Sequence, residues 1–146
     1  MSPIPQVERR KRGVDRPPHV CVVEDYPLHA SMVTRILGYA GMQVSTAANG
    51  PVLESMLEQG LRPDMFLVDL VLPGESGIEV MRRLRQKPRW ARAPIIACSA
   101  FSAREHRREA IRLGFDGFIE KPLDLAIFTR TVRGFFPRWK PPPRDL

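Results

Sequence analysis

Residues 64–77 read DMFLVDLVLPGESG. Met65–Val68 form a short apolar run, Asp69 places a carboxylate at its end, and Pro73, Gly74 and Gly77 punctuate the segment after it. A run of this length bounded by turn residues reads as a strand buried on both faces. Beyond Gly77, the residues Ile78, Met81 and Leu84 recur at helical spacing. The unit is strand, acidic strand end, turn, helix, and the fold depends on whether it repeats.

It repeats in both directions. Upstream, His19–Glu24 (HVCVVE) is a β-rich apolar run, and Pro27 suits the first position of a helix carrying Leu28, Met32, Val33, Ile36 and Leu37. Gly41 breaks that helix, Met42–Ala47 reads as a strand, and Asn49–Gly50–Pro51 opens a helix with Val52, Leu53, Met56 and Leu57. Downstream, Pro94–Ser99 (PIIACS) is a strand, and Ala103, His106, Ala110 and Leu113 mark a helix closed by Gly114. Gly117–Glu120 is a fifth strand, and a last helix carries Leu125, Phe128, Val132 and Phe135. Five strands alternating with five helices predict an α/β fold, a doubly wound five-stranded parallel sheet with helices on both faces. Its crossovers are right-handed, and its ligands belong outside the carboxyl ends of the strands.

The 146 residues, 43% hydrophobic, suffice for one core. No apolar stretch is long enough to cross a membrane, and the basic cluster Arg9–Arg12 has no apolar run behind it, so neither membrane insertion nor a signal peptide is expected. The protein is read as soluble and cytoplasmic. Cys21 and Cys98 lie in separate apolar runs and read as small core residues, not zinc ligands. The net charge of +7 is concentrated at the ends: residues 1–18 hold five Arg or Lys against two acids, and residues 137–146 hold three against one. Residues 1–18 are read as a flexible, basic, proline-rich tail, 19–136 as the folded domain, and 137–146 as a second proline-rich tail. Neither tail shows the repeated, interleaved aromatics of a stacking platform, so both are read as solvated extensions, and nucleic acid is not an expected partner.

The reactive side chains fall in one place. Glu24 and Asp25 end the first strand, Asp69 the third, Ser99 the fourth and Lys121 the fifth. Clustered carboxylates raise one another's pKa unless a cation sits among them. An all-oxygen donor set suits a hard ion, Mg²⁺ or Mn²⁺. A lysine and a hydroxyl beside that ion can neutralise the oxygens of a transferring phosphoryl group, with a carboxylate as nucleophile.

The segments VVED (22–25), VDLVLPGESG (68–77), ACSA (97–100) and GFIEKP (117–122), with Asp25, Asp69, Ser99 and Lys121 separated by 44, 30 and 22 residues, resemble the receiver domains of two-component response regulators. The resemblance covers about residues 19–136 and implies the strand order 2-1-3-4-5. It implies that Asp69 is the phosphoacceptor, that Asp25 and Asp69 bind Mg²⁺ directly, and that Glu24 does so through water with the Val71 carbonyl completing the set. It makes Lys121 the partner of the phosphoryl group, with a cis bond to Pro122, and Ser99 and Phe118 the switch pair. Glu24, Ser99 and Phe118 stand where Asp, Thr and Tyr are commoner in the family; the chemistry survives each change. The implied donor is a sensor histidine kinase or a histidine phosphotransfer protein. The expected output is a protein target bound through the fourth helix, fifth strand and fifth helix, or onward transfer in a phosphorelay, by a monomer or a phosphorylation-dependent dimer. No enzymatic activity beyond its own phosphorylation and dephosphorylation is expected.

Arg104, Arg108 and Arg112, with Arg107 beside them, make the fourth helix basic and suit an acidic partner; binding of nucleic acid by this helix and the tails is the alternative. Arg82, Arg83, Arg85, Lys87, Arg89 and Arg92 around Trp90 read as an exposed connection, and His19, His29 and His106 as surface or packing residues. A phosphatase of the haloacid-dehalogenase type would need an acid where Val71 stands. Val71 and Phe101 flank the site without a polar group to orient water. The phosphorylated protein is therefore expected to lose its phosphoryl group slowly for this family in a purified Mg²⁺ reaction, monitored by intact mass over time.

Overall fold

The structure is a computed structural model, and it describes residues 16–100 and 104–141. Strands and helices alternate from β1 (His19–Val23) and α1 (Pro27–Tyr39) through β2 (Gln43–Ala47), α2 (Gly50–Glu58) and β3 (Met65–Asp69). Next comes a hairpin of two-residue strands, β4 (Val71–Leu72) and β5 (Glu75–Ser76), where the sequence suggests only a turn. The chain continues with α3 (Gly77–Gln86), a single 3-10 turn at Pro88–Trp90, β6 (Ile95–Ser99), α4 (Arg104–Leu113), β7 (Gly117–Glu120) and α5 (Leu125–Arg133). The main sheet is parallel in the order β2-β1-β3-β6-β7, the expected order once the hairpin is set aside. The order reverses between β1 and β3, which opens a crevice at their carboxyl ends.

Local chemistry starts and stops these elements. Asn49, Ser76 and Asp124 cap α2, α3 and α5 by accepting from the Val52, Glu79 and Ile127 amides, and Pro27 opens α1. Strand alternation then divides the core. Cys21, Val23, Phe66, Val68, Ile95 and Ala97 face α2, α3 and α4. Val20, Val22, Met65, Leu67, Ile96 and Cys98 face α1 and α5. Burial pushes the Cys21 and Cys98 thiols up to about 12, which keeps them protonated and inert.

Three expectations from the sequence need correction. The buried stripe of α1 is narrower than the periodicity predicts: Val33 and Leu37 are buried, while Leu28 is 70% exposed and Met32 40%. The basic segment 82–92 is an exposed connection only in part: Arg82, Arg89 and Arg92 are exposed, but other members are built into the structure. Trp90 is buried against Phe66, and Arg85 ties α3 to two loops through the Ala93 and Gly114 carbonyls and Asp116. Finally, the described part of the C-terminal segment is no solvated tail, for Trp139 is only 5% exposed and packs in the α1/α5 core. Its ring lies over Gly41, whose φ of +95° and lack of a Cβ admit it; a Cβ there would sit 3.3 Å from the indole. Residues 1–15 and 142–146 lie outside the described residues. Among the described residues no helix is long and apolar enough to cross a membrane.

Replacing a buried indole by a methyl group leaves a large cavity. Trp139→Ala is expected to lower unfolding stability by about 3–5 kcal/mol, read from urea denaturation.

Candidate functional site

Adjacent strands lie about 5 Å apart, so pairing β1 with β3 brings their carboxyl-end acids together whatever the loops do. One carboxylate oxygen each of Glu24, Asp25 and Asp69 falls within 4.8 Å of the others. Glu24 and Asp69 are buried and Asp25 is exposed. Lys121 reaches across from the end of β7, its Nζ donating to Glu24 Oε1 at 2.7 Å and to Asp69 Oδ2 at 2.5 Å. The second Asp69 oxygen, Oδ1, accepts from the Val71 amide at 2.9 Å. Lys121 and Asp69 share the α1/α5 side of the sheet by strand alternation, and the Lys121–Pro122 bond is cis.

One ammonium serving two buried carboxylates leaves a deficit of positive charge. Burial, then its contact with Asp69, pushes Glu24 up to about 7. Burial would raise Asp69 as well, but hydrogen bonds involving Glu24, Lys121 and the Val71 amide outweigh it and hold Asp69 below its ordinary value. Burial lowers Lys121, yet its bonds to Asp69 and Glu24 leave it raised and firmly charged. Glu24 Oε2 is buried without a hydrogen-bond partner. Such an orphaned oxygen beside two other carboxylates is what a hard cation would satisfy.

Ser99 is buried at the end of β6, and its carbonyl accepts from the Lys121 amide at 2.8 Å. Alternation turns its side chain toward α4, to the side where Phe118 is buried. The exposed Arg107 guanidinium lies 5.8 Å from the Phe118 ring centre. Phe101, Ala103 and the Arg104 side chain lie outside what the structure describes. His29, which the sequence suggests is a surface or packing residue, instead stands over the site. Its Nδ1 is 2.5 Å from Glu24 Oε1, close but without hydrogen-bond alignment, and burial lowers its pKa. Its place in the first turn of α1, five residues after Glu24, is the signal in the sequence that points there.

The site is an acidic crevice at the switch point of a five-stranded parallel sheet with a lysine at its edge, and its oxygen donors could hold a hard cation. Residues 20–133 match the family model of the response regulator receiver domain. The phosphate regulon transcriptional regulatory protein PhoB of Rhizobium meliloti is 35% identical over 85% of this chain, which spans only 54% of that relative. The polar-differentiation response regulator DivK of Brucella anthropi is 29% identical over 82% of this chain and 96% of its own length. A putative response regulator from Chloroflexus aurantiacus, solved by crystallography, superposes with a TM-score of 0.77 at 26% identity, covering 84% of this chain and all of that one. The chain belongs to the response regulator receiver domain family.

A carboxyl whose folded pKa is raised stabilises the fold at low pH and loses that contribution as pH rises. For Glu24 the window runs from its ordinary value of 4.5 to about 7. The metal-free protein should therefore lose stability across this window, and Glu24→Gln should flatten the slope in thermal melts at stepped pH.

Proposed function

We propose that Asp69 accepts a phosphoryl group from a phosphohistidine of a sensor histidine kinase or histidine phosphotransfer protein. The observation that supports this best is the convergence of Glu24, Asp25, Asp69 and Lys121 on one rim of the sheet. An Asp69 oxygen attacks phosphorus in line, the bond from phosphorus to the donor imidazole breaks, and an acyl phosphate forms. Asp25, Asp69 and the Val71 carbonyl would hold Mg²⁺ or Mn²⁺ directly, and Glu24 through water. Bound there, the ion supplies charge neutralisation for the phosphoryl oxygens. Lys121 stands ready to exchange its two carboxylate contacts for a phosphoryl oxygen, and the Ser99 hydroxyl donates to another.

Ser99 then moves toward the new anion and Phe118 takes up the vacated space, changing the surface of α4, β7 and α5. On this reading the output is binding of a protein target or onward transfer in a phosphorelay, in the cytoplasm, with no chemistry beyond the domain's own phosphorylation and dephosphorylation. The exposed Arg107, Arg108 and Arg112 favour an acidic protein partner on α4.

Intact mass after incubation with Mg²⁺ and acetyl phosphate tests the assignment. The wild type should gain one phosphoryl group and Asp69→Ala none; an adduct on both, or on neither, would remove Asp69 as the acceptor.

A further inference from the structure

The hairpin after Asp69 is fastened from outside. Its strands pair Val71 with Ser76 and Leu72 with Glu75, so Glu75 lies one residue along from the partner of Val71. The Glu75 carboxylate turns away from the site. Arg83 of α3 grips it at both oxygens, Nη2 to Oε1 at 2.8 Å and Nη1 to Oε2 at 2.7 Å, a two-pronged pairing that fixes position as well as charge. The same carboxylate lies against Gly50 at the start of α2, and the Arg83 guanidinium, with a smaller contribution from the Gly50 amide, holds its pKa below the ordinary value. Glu54 backs this pair, 3.7 Å from Arg83 Nε and 2.9 Å from Lys87 Nζ.

Gly50 shows how closely the parts fit. A Cβ there would stand 1.8 Å from Glu75 Oε1 and 2.5 Å from Arg83 Nη2. Both are ends of flexible side chains, so an alanine would evict the carboxylate without blocking the helix.

We propose that Glu75, gripped by Arg83 and seated on Gly50, is a positioning residue that holds the β4–β5 hairpin so that the Val71 peptide meets the Asp69 carboxylate. The inference rests on the reading of Asp69 and Val71 as parts of a cation site. The Val71 amide already donates to Asp69 Oδ1, and its carbonyl belongs to the same hairpin strand; loosening the outer strand loosens both. Glu75 touches no reacting atom and acts only through the backbone. Residues of this supporting kind commonly change metal affinity by about 10- to 100-fold when removed.

The test uses the full chain as wild type, Glu75→Ala, Gly50→Ala and the double variant, with Mg²⁺ affinity measured by calorimetry. Each single variant should weaken Mg²⁺ binding about tenfold. The double variant should weaken it no further, because without the carboxylate there is nothing for the alanine to evict. At saturating Mg²⁺ the rate of phosphorylation by acetyl phosphate should return to within about twofold of wild type. A variant that had lost its fold would not recover in this way. Hydrogen exchange at the Val71 amide, measured without metal, should speed up in both single variants. Unchanged affinity and exchange in Glu75→Ala, or losses that add in the double variant, would overturn the clamp. If the wild type itself takes up neither Mg²⁺ nor phosphoryl, the reading of Asp69 fails, whereas normal wild-type behaviour with unaffected variants removes Glu75 alone.

Discussion

Two carboxylates buried against one lysine ammonium set the terms on which this molecule is built. Taking Glu24 and Asp69 out of water is unfavourable, and a single cation shared between them leaves the balance incomplete. A chain able to reach its native state must therefore hold these groups in place by something stronger than their mutual attraction. Here that is the sheet. β1 and β3 are neighbours with apolar residues on both faces, and the burial of Val20–Val23 and Met65–Val68 carries the acids to the rim as a by-product.

That dependence explains what the sequence revealed. Strands β1, β3 and β6 are buried on both faces, so they appear as unbroken apolar runs, and a polar residue closes each run at the carboxyl end of its strand. Reading Asp69, Ser99 and Lys121 as strand ends needs no tertiary information. Helix faces were less legible. Periodicity locates an apolar stripe on α1 and on α5 but does not say which of its members meet the sheet: Leu28 and Leu125 are exposed while Val33 and Phe128 are buried.

Contacts made between elements distant in sequence were not legible at all. Nothing in LPGESG signals that Glu75 points away from the crevice toward α2 and α3, because its partners Gly50 and Arg83 lie 25 residues before it and 8 after it. The basic run 82–92 looked solvated because its acids, Glu54 and Asp116, sit on other elements. Trp139 looked like part of a tail because prolines surround it, and the surface that receives it is created by Gly41, far earlier in the chain.

The division of side chains across the sheet has a consequence for how such a domain can diversify. Asp69 and Lys121 lie on the α1/α5 side, while Ser99 and Phe118 turn toward α4. The two halves meet through the backbone of strand ends, as where the Lys121 amide binds the Ser99 carbonyl. In this state the β-layer keeps the Asp69–Lys121 contacts and the packing of Phe118 on opposite sides. Substitutions packed beneath α4 can alter the surroundings of Phe118 while the contacts of Lys121 with Glu24 and Asp69 stay constant, and changes along α1 can reshape the acidic crevice without touching Phe118.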